Sequence, residues 1–252
     1  MPRVLEMPGF DPGPPPLWER IFAAAPLAVY TDHPSGRFRA DFGPVYYRGR
    51  LDGTARILLV GQDPSTDELL GHRTLVGDAG QRVQGLLRKI GITRSYVMVN
   101  TYLFGIRGQH DTKIARIALE PEILGFRNTV LDQLAATNPI QAVIAAGAAA
   151  RHALAHWPHS QDLTVIDILH PSARDEAALT ASWSAALPAL LAAITPDDDG
   201  VIDATPYGSQ FTPEDRAPLP RFDLPFGVPA WHGSGGTRSQ RSGDKKITWT
   251  AP

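Results

Sequence analysis

Three polar side chains in this chain stand where apolar strands are predicted to end. Asp63 follows Ile57-Leu58-Leu59-Val60-Gly61-Gln62, Asn100 closes Tyr96-Val97-Met98-Val99, and His170 follows the apolar run 164–169. A carboxylate can steer a water or steady positive charge, and an imidazole can donate to a developing anion. A primary amide carries both a donor and an acceptor for reading a flat heterocycle. Apolar runs without alternation are the strands of a parallel sheet covered on both faces, and such sheets bind ligands beyond their carboxyl ends. Asp63, Asn100 and His170 can therefore share one crevice despite their separation in sequence. Each alone also has a plainer reading, Asp63-Pro64-Ser65 as an Asx-type turn and His170-Pro171-Ser172 as a structural one.

The elements that must position these residues follow from periodicity. Gly61 permits a tight turn and Pro64 sends the chain away from the sheet into a polar loop. After 74–81 comes a helix carrying Val83, Leu86, Leu87 and Ile90, stopped by Gly91. A helix over 121–137 buries Ile123, Phe126, Val130, Leu131 and Leu134. Strands at 142–146 and 164–169 flank a short helix at 148–157, and a helix at 176–194 completes the alternation. The pattern predicts an α/β fold, a three-layer α/β/α sandwich with a central four-stranded parallel sheet.

The ends of the chain read differently. Residues 8–16 are Pro/Gly-rich and expected to be extended, before a short helix presenting Leu17, Trp18, Ile21 and Phe22. Between 37 and 56, Phe38, Phe42, Tyr46 and Tyr47 mix with Arg39, Arg48, Arg50 and Arg56, which suits either nucleic-acid binding or an irregular cover over a sheet edge. Beyond Pro196 the composition turns to Asp, Gly, Pro and Ser, with 197–200 as a solvated boundary. Tyr207, Phe211, Phe222 and Phe226 could lay the next stretch over the domain. Residues 233–246 read as a flexible tail whose Arg238, Arg241, Lys245 and Lys246 either solubilise or meet phosphates. The expected division is 1–52 as arm and cover, 53–196 as catalytic domain and 197–252 as a partly flexible extension.

A chain of 252 residues, 43% of them hydrophobic, can bury one sizeable core. Its formal net charge of -2 lends no whole-chain basicity to a nucleic-acid partner, and with no cysteine it can form neither disulfides, thiolate zinc sites nor Cys-held iron–sulfur clusters. Residues 1–16 lack the apolar core of a secretory signal, and no run is long enough to span a bilayer. The expectation is a soluble protein that is not secreted, located in the cytoplasm or wherever the genome is held. Arg73, Arg82, Arg88, Lys89, Arg94 and Arg107 cluster around the polar strand ends and suggest a local basic face.

Over residues 55–194 the chain resembles the uracil-DNA glycosylase superfamily. Gly61-Gln62-Asp63-Pro64 is similar to the water-activating motif of the classical branch, and Leu75-Val76-Gly77-Asp78-Ala79-Gly80-Gln81 to the F-V-G-R-A-G-Q segment of the iron–sulfur branch. Val99-Asn100 matches the strand-end asparagine that reads uracil, and His170-Pro171-Ser172 matches the second catalytic motif. The resemblance implies a monofunctional enzyme that flips uracil out of DNA and hydrolyses its N-glycosidic bond without a cofactor or metal cluster. Asp63 would steer water and stabilise oxocarbenium character, while His170 and the backbone N–H of Gln62 would hold uracil O2 as charge develops. Asn100 would pair with O4 and N3–H of uracil, and Leu75 would cover the base. Ser65 and Ser172 would contact the DNA, with Arg174 either the wedge in the minor groove or an ordinary surface residue. The expected partner is uracil-containing DNA, met by a monomer with no membrane contact.

Departures from the family pattern bear on specificity. Ser65 stands where the classical branch has a tyrosine that excludes the thymine methyl, and Leu75 stands where the family stacks a phenylalanine. Either Tyr102 or Phe104 supplies a ring, or affinity for the base is reduced. A weakly catalytic binder of uracil or abasic DNA, and an unrelated nucleotide-binding α/β protein, are the alternatives; neither G-x-G-x-x-G nor a P-loop lysine follows any predicted strand.

Overall fold

The five-residue runs at 57–61, 96–100 and 142–146 make the middle of the molecule because a sheet covered on both sides satisfies their backbone while hiding every side chain, whereas the edge strand at 165–168 turns Val165 and Asp167 outward. The structure, a computed structural model, describes residues 9–228. In chain order the elements are α1 (Pro16–Ala23), α2 (Leu27–Thr31), β1 (Arg48–Gly49), β2 (Ile57–Gly61), α3 (Thr66–Gly71), α4 (Asp78–Lys89), β3 (Tyr96–Asn100), α5 (Thr112–Ile117), α6 (Pro121–Thr137), β4 (Ala142–Ala146), α7 (Ala148–Ala155), β5 (Val165–Ile168) and α8 (Glu176–Ala193). The sheet order is β1-β3-β2-β4-β5, with β3, β2, β4 and β5 parallel and β1 antiparallel to β3.

The fold is thus the α/β architecture that the sequence predicts, with short elements added, among them the helices α2 and α5. The sheet has a fifth strand, β1, whose two residues are too few to show any periodicity. The polar loop expected after Pro64 is largely a helix, α3. It starts with a capping box between Ser65 and Glu68 and offers only Leu69 and Leu70 as apolar residues, too little for a helical stripe to be read.

The two faces of the sheet separate cleanly. Ile57, Leu59, Met98 and Ile144 pack with α4 and α8 through Val83, Leu86, Leu187 and Leu190. Leu58, Val60, Val97 and Val143 pack with α1, α6 and α7 through Trp18, Leu131, Leu134 and Leu154. A third cluster beyond the strand ends gathers Tyr30, Phe38, Tyr102, Phe104 and Ile114. Among the described residues no helix is long and apolar enough to cross a membrane.

Both ends of the described chain are pinned to this frame. Tyr207 and Phe211 set their rings 5.9 and 5.2 Å from that of Trp183. The Asp11 N–H donates to the Leu224 carbonyl at 2.8 Å, joining the N-terminal arm to the C-terminal segment. Within the stretch expected to be solvated, Asp198 and Asp199 are exposed, but Asp197 is buried and accepts from the N–H groups of Thr93, Arg94 and Ser95 at 2.8, 2.9 and 3.1 Å. A carboxylate is the acceptor best suited to three converging N–H groups. The tail at 233–246, with its four basic residues, lies outside the described residues.

Asp223 is the strongest of these anchors. It is wholly buried, binds Arg48 at 3.0 Å and Arg50 at 2.5 Å, and accepts from the Tyr96 hydroxyl at 2.6 Å. Asp223→Ala would leave two guanidinium groups without their counter-charge, although Arg48 keeps the Thr74 carbonyl at 2.9 Å and Gln84 at 3.0 Å. The expected loss is about 3 kcal/mol, the low end for a broken buried ion pair. Denaturant unfolding of wild type and variant checks it, and a loss below about 1 kcal/mol would mean that the segment is not anchored there.

Candidate active site

The parallel register brings the polar strand ends onto one edge of the sheet. Gly61 of β2 pairs with Asn100 of β3, and Ala146 of β4 pairs with Ile168 of β5, so the turns bearing Asp63, Asn100, Gly147 and His170 all leave from the carboxyl side. β3 and β4 lie on opposite sides of β2, which makes this edge the reversal point where open α/β sheets hold ligands.

Asp63 is held from two sides. Its Oδ1 accepts from Gln62 Nε2 at 2.8 Å and its Oδ2 from the Ile106 N–H at 2.7 Å. The Ile106 contact comes from the loop after β3, which closes on the turn because Gly105 has no side chain to strike the Pro64 carbonyl. Burial raises the Asp63 carboxyl above its ordinary value, against the pull of these two hydrogen bonds and of the Arg39 charge. A carboxylate that is fixed, partly desolvated and ready to take a proton suits a general base.

His170 leaves β5 and leans on the amino end of α7. A side chain on Gly147, at φ +94, would strike the His170 Cβ, so glycine is required there for the imidazole to approach β4. Burial pushes the imidazole down to about 4, so the ring is neutral at pH 7. Its Nδ1 faces the Ser172 N–H at 3.2 Å; that nitrogen is the acceptor, and the ring proton sits on Nε2. The ring is thus set as a neutral donor.

Asn100 is buried at the end of β3, its Oδ1 lying over Gly61, where any side chain would collide with it. Its Nδ2 donates to Glu68 Oε1 at 3.2 Å. Glu68, on α3, also accepts from the Leu75 N–H at 2.7 Å and the Ser65 N–H at 2.8 Å. Leu75 is held at φ +54, left-handed for a branched side chain, and its side chain belongs to the core cluster beneath the sheet. The two aromatic alternatives are excluded by packing. Tyr102 and Phe104 are buried in the third cluster, and the Tyr102 hydroxyl donates to the Ile114 carbonyl at 2.9 Å, so neither ring faces the crevice.

The segments that follow Asp63 and His170 in the chain line a groove of about 560 Å³, within the usual range for ligand sites. It is lined by Ser65, Thr66, Asp67 and Glu68, by Gly77, Asp78, Ala79 and Arg82, and by the stretch from Pro171 to Arg174 with Glu176. Ser65, Ser172 and Arg174 are exposed on its rim, whereas Asp63, Gln62, Asn100, Leu75 and His170 lie outside its lining. Arg82 braces the His170 loop, donating to the Pro171 carbonyl at 2.9 Å and to Glu176 at 2.5 Å, with its guanidinium 4.7 Å from the Phe211 ring.

The local basic face read from the sequence is largely used inside the molecule. Arg73 pairs with Asp11 at 2.7 Å, Lys89 with Asp203 at 2.5 Å, and Arg88 donates to the Glu214 carbonyl at 2.7 Å. These cations hold the terminal segments in place. Among the described residues no three His, Asp or Glu side chains converge as metal ligands would.

Glu68, Gly147 and Ile106 are the site residues that sequence reasoning missed. Glu68 had a legible signal, the S-x-x-E spacing from Ser65 that marks a helix start. The Ile106 N–H is backbone and Gly147 acts by lacking a side chain, so residue type signals neither.

Comparison with curated proteins returned no match. The model of the uracil DNA glycosylase superfamily matches residues 48–190, more than half of the chain and every strand of the sheet. By that match, and with the strand-end residues placed as described, the chain belongs to the uracil DNA glycosylase superfamily.

Proposed function

We propose that this protein is a monofunctional uracil-DNA glycosylase, which takes uracil out of the DNA stack and hydrolyses its N-glycosidic bond to leave an abasic site. Superfamily membership supports a DNA glycosylase in the broad sense. The observation that carries the finer reading is the pairing of a half-buried carboxylate at Asp63, fixed by two hydrogen bonds, with a neutral imidazole at His170 on one edge of the sheet.

Cleavage of the bond leaves positive character on the sugar and negative charge on the departing base. Asp63, in its ionised form, orients a water toward the anomeric carbon, takes its proton and faces the sugar's positive character. His170 Nε2–H donates to uracil O2 as charge gathers there, with the Gln62 N–H beside it. The His170 hydrogen bond gains strength as negative charge develops on O2, so it stabilises the transition state more than the ground state. Asn100 reads O4 and N3–H of the base. Ser65 and Ser172 on the groove rim meet the DNA backbone, and the exposed Arg174 enters the space the flipped nucleotide leaves.

The base preference follows from what borders the site. Ser65 caps a helix and is exposed, so it raises no barrier to a C5 methyl. A methyl group alone changes binding by about 1–3 kcal/mol, so thymine release is expected to be slower than uracil release by roughly 10–200-fold. Cytosine, with its donor and acceptor reversed, is expected to remain intact. Oligonucleotides carrying uracil, thymine, cytosine or hypoxanthine, incubated with the protein and then cleaved with alkali at abasic sites, test both statements. Strand breaks confined to a base other than uracil would overturn the reading.

A further inference from the structure

Glu68 is a buried carboxylate that the hydrolytic step does not use, placed behind the amide that reads the base. Its three partners named above, the N–H groups of Leu75 and Ser65 and Asn100 Nδ2, are all donors. Only the NH₂ end of Asn100 is compatible with Oε1; turning the amide over would set Asn100 Oδ1 against a carboxylate. We propose that Glu68 is a positioning residue for base specificity, its carboxylate locking the Asn100 amide in the orientation that accepts uracil and refuses cytosine. This inference rests on the reading of Asn100 given under Proposed function.

A primary amide has one edge carrying Oδ1 and an N–H, and a second N–H that points away from that edge. In the proposed arrangement Glu68, which accepts from Nδ2 at 3.2 Å, takes the outward N–H. The remaining edge is an acceptor beside a donor, the complement of N3–H and O4 of uracil. Cytosine presents a lone pair at N3 and an amine at C4, and so needs the amide reversed. An asparagine with no neighbour could reverse at little cost and serve either base. With Glu68 behind it, reversal gives up a charge-assisted hydrogen bond and brings two acceptors together. The same carboxylate holds the Leu75 N–H at 2.7 Å and the N-cap of α3 at 2.8 Å, so the reader, the backbone leading into α4 and the turn after β2 share one anchor.

The test is binding, in a background where chemistry is silenced. With the Asp63→Asn protein and the Asp63→Asn/Glu68→Gln protein, Kd is measured for oligonucleotides carrying uracil, cytosine or a tetrahydrofuran abasic analogue. Glutamine can turn its own amide toward Asn100 Oδ1, so the preference for uracil over cytosine is expected to narrow by about tenfold or more. Affinity for the abasic analogue, which lacks a base, is expected to stay within about twofold. An unchanged uracil-to-cytosine ratio in a variant that melts normally overturns the role of Glu68 and leaves the glycosylase reading standing. Absence of any uracil preference in Asp63→Asn alone defeats the reading of Asn100, and this inference with it. Should Glu68→Gln fail to fold, ¹⁵N-labelled asparagine in the wild-type protein decides. One Asn100 side-chain proton is expected downfield and protected from exchange, and a pair of ordinary, fast-exchanging amide protons would contradict the proposal.

Discussion

Asp63→Asn is expected to slow single-turnover uracil release by roughly 10³-fold or more while uracil-DNA affinity stays within a few-fold of wild type. The substitution keeps the side chain's shape and its acceptor for the Ile106 N–H, held at 2.7 Å in wild type, while Gln62, which donates through Nε2 at 2.8 Å, can turn its own amide to meet the new NH₂, so the turn after β2 should hold its place. What it removes is the negative charge, and with it both the attraction for the sugar's positive character and the capacity to take a proton from water. The pH profile gives an independent check. Because burial raises the Asp63 carboxyl, the ionised form is lost at a higher pH than for an ordinary aspartate, whose value is about 3.9. Wild-type rate should fall as the pH drops through that raised value, and Asp63→Asn should lack this acid limb. Near-full activity in the variant would remove Asp63 from the mechanism.

His170→Ala is expected to cost on the order of 10²–10³-fold in the same rate, the effect of deleting one preorganised donor to a developing oxyanion, about 3–4 kcal/mol. Burial holds the imidazole at about 4, so wild type already works with the neutral ring, and between pH 6 and 8 the loss should not vary. That distinguishes a neutral donor from an imidazolium acting through its charge, whose contribution would fade as pH rises through an ordinary histidine value of about 6.5. The ring also fills the space over Gly147, so the melting temperature of the variant is measured alongside. A loss under about threefold in a normally folded variant would mean that His170 does not touch the reacting base.

The frame of this fold was legible because parallel strands are bare apolar runs. β2, β3 and β4 announce themselves without alternation, and the stripe Ile123, Val130, Leu131 and Leu134 marks α6 to the residue. Asp63, Asn100 and His170 stood out for the complementary reason: each is a polar side chain where an apolar strand ends. The capping box of α3 was hidden in a stretch too polar and too short for periodicity, and Glu68 was hidden with it. Charge was the least legible feature. Arg73, Arg88 and Lys89 read as a surface for phosphates, but their partners at Asp11, Glu214 and Asp203 lie 62, 126 and 114 residues away, pairings that no local pattern encodes. The buried ion pairs of Asp223 with Arg48 and Arg50 were invisible for the same reason, which is why the segment beyond Pro196 read as looser than its described part is.

The most direct test follows both products of one turnover. With enzyme in excess over a single-stranded oligonucleotide carrying one uracil, the account predicts free uracil and abasic sites in equal amounts, rising together in a single exponential; excess oligonucleotide then shows whether the abasic product is released or retained. Intact uracil-DNA under enzyme excess, or strand cleavage without free uracil, would contradict it.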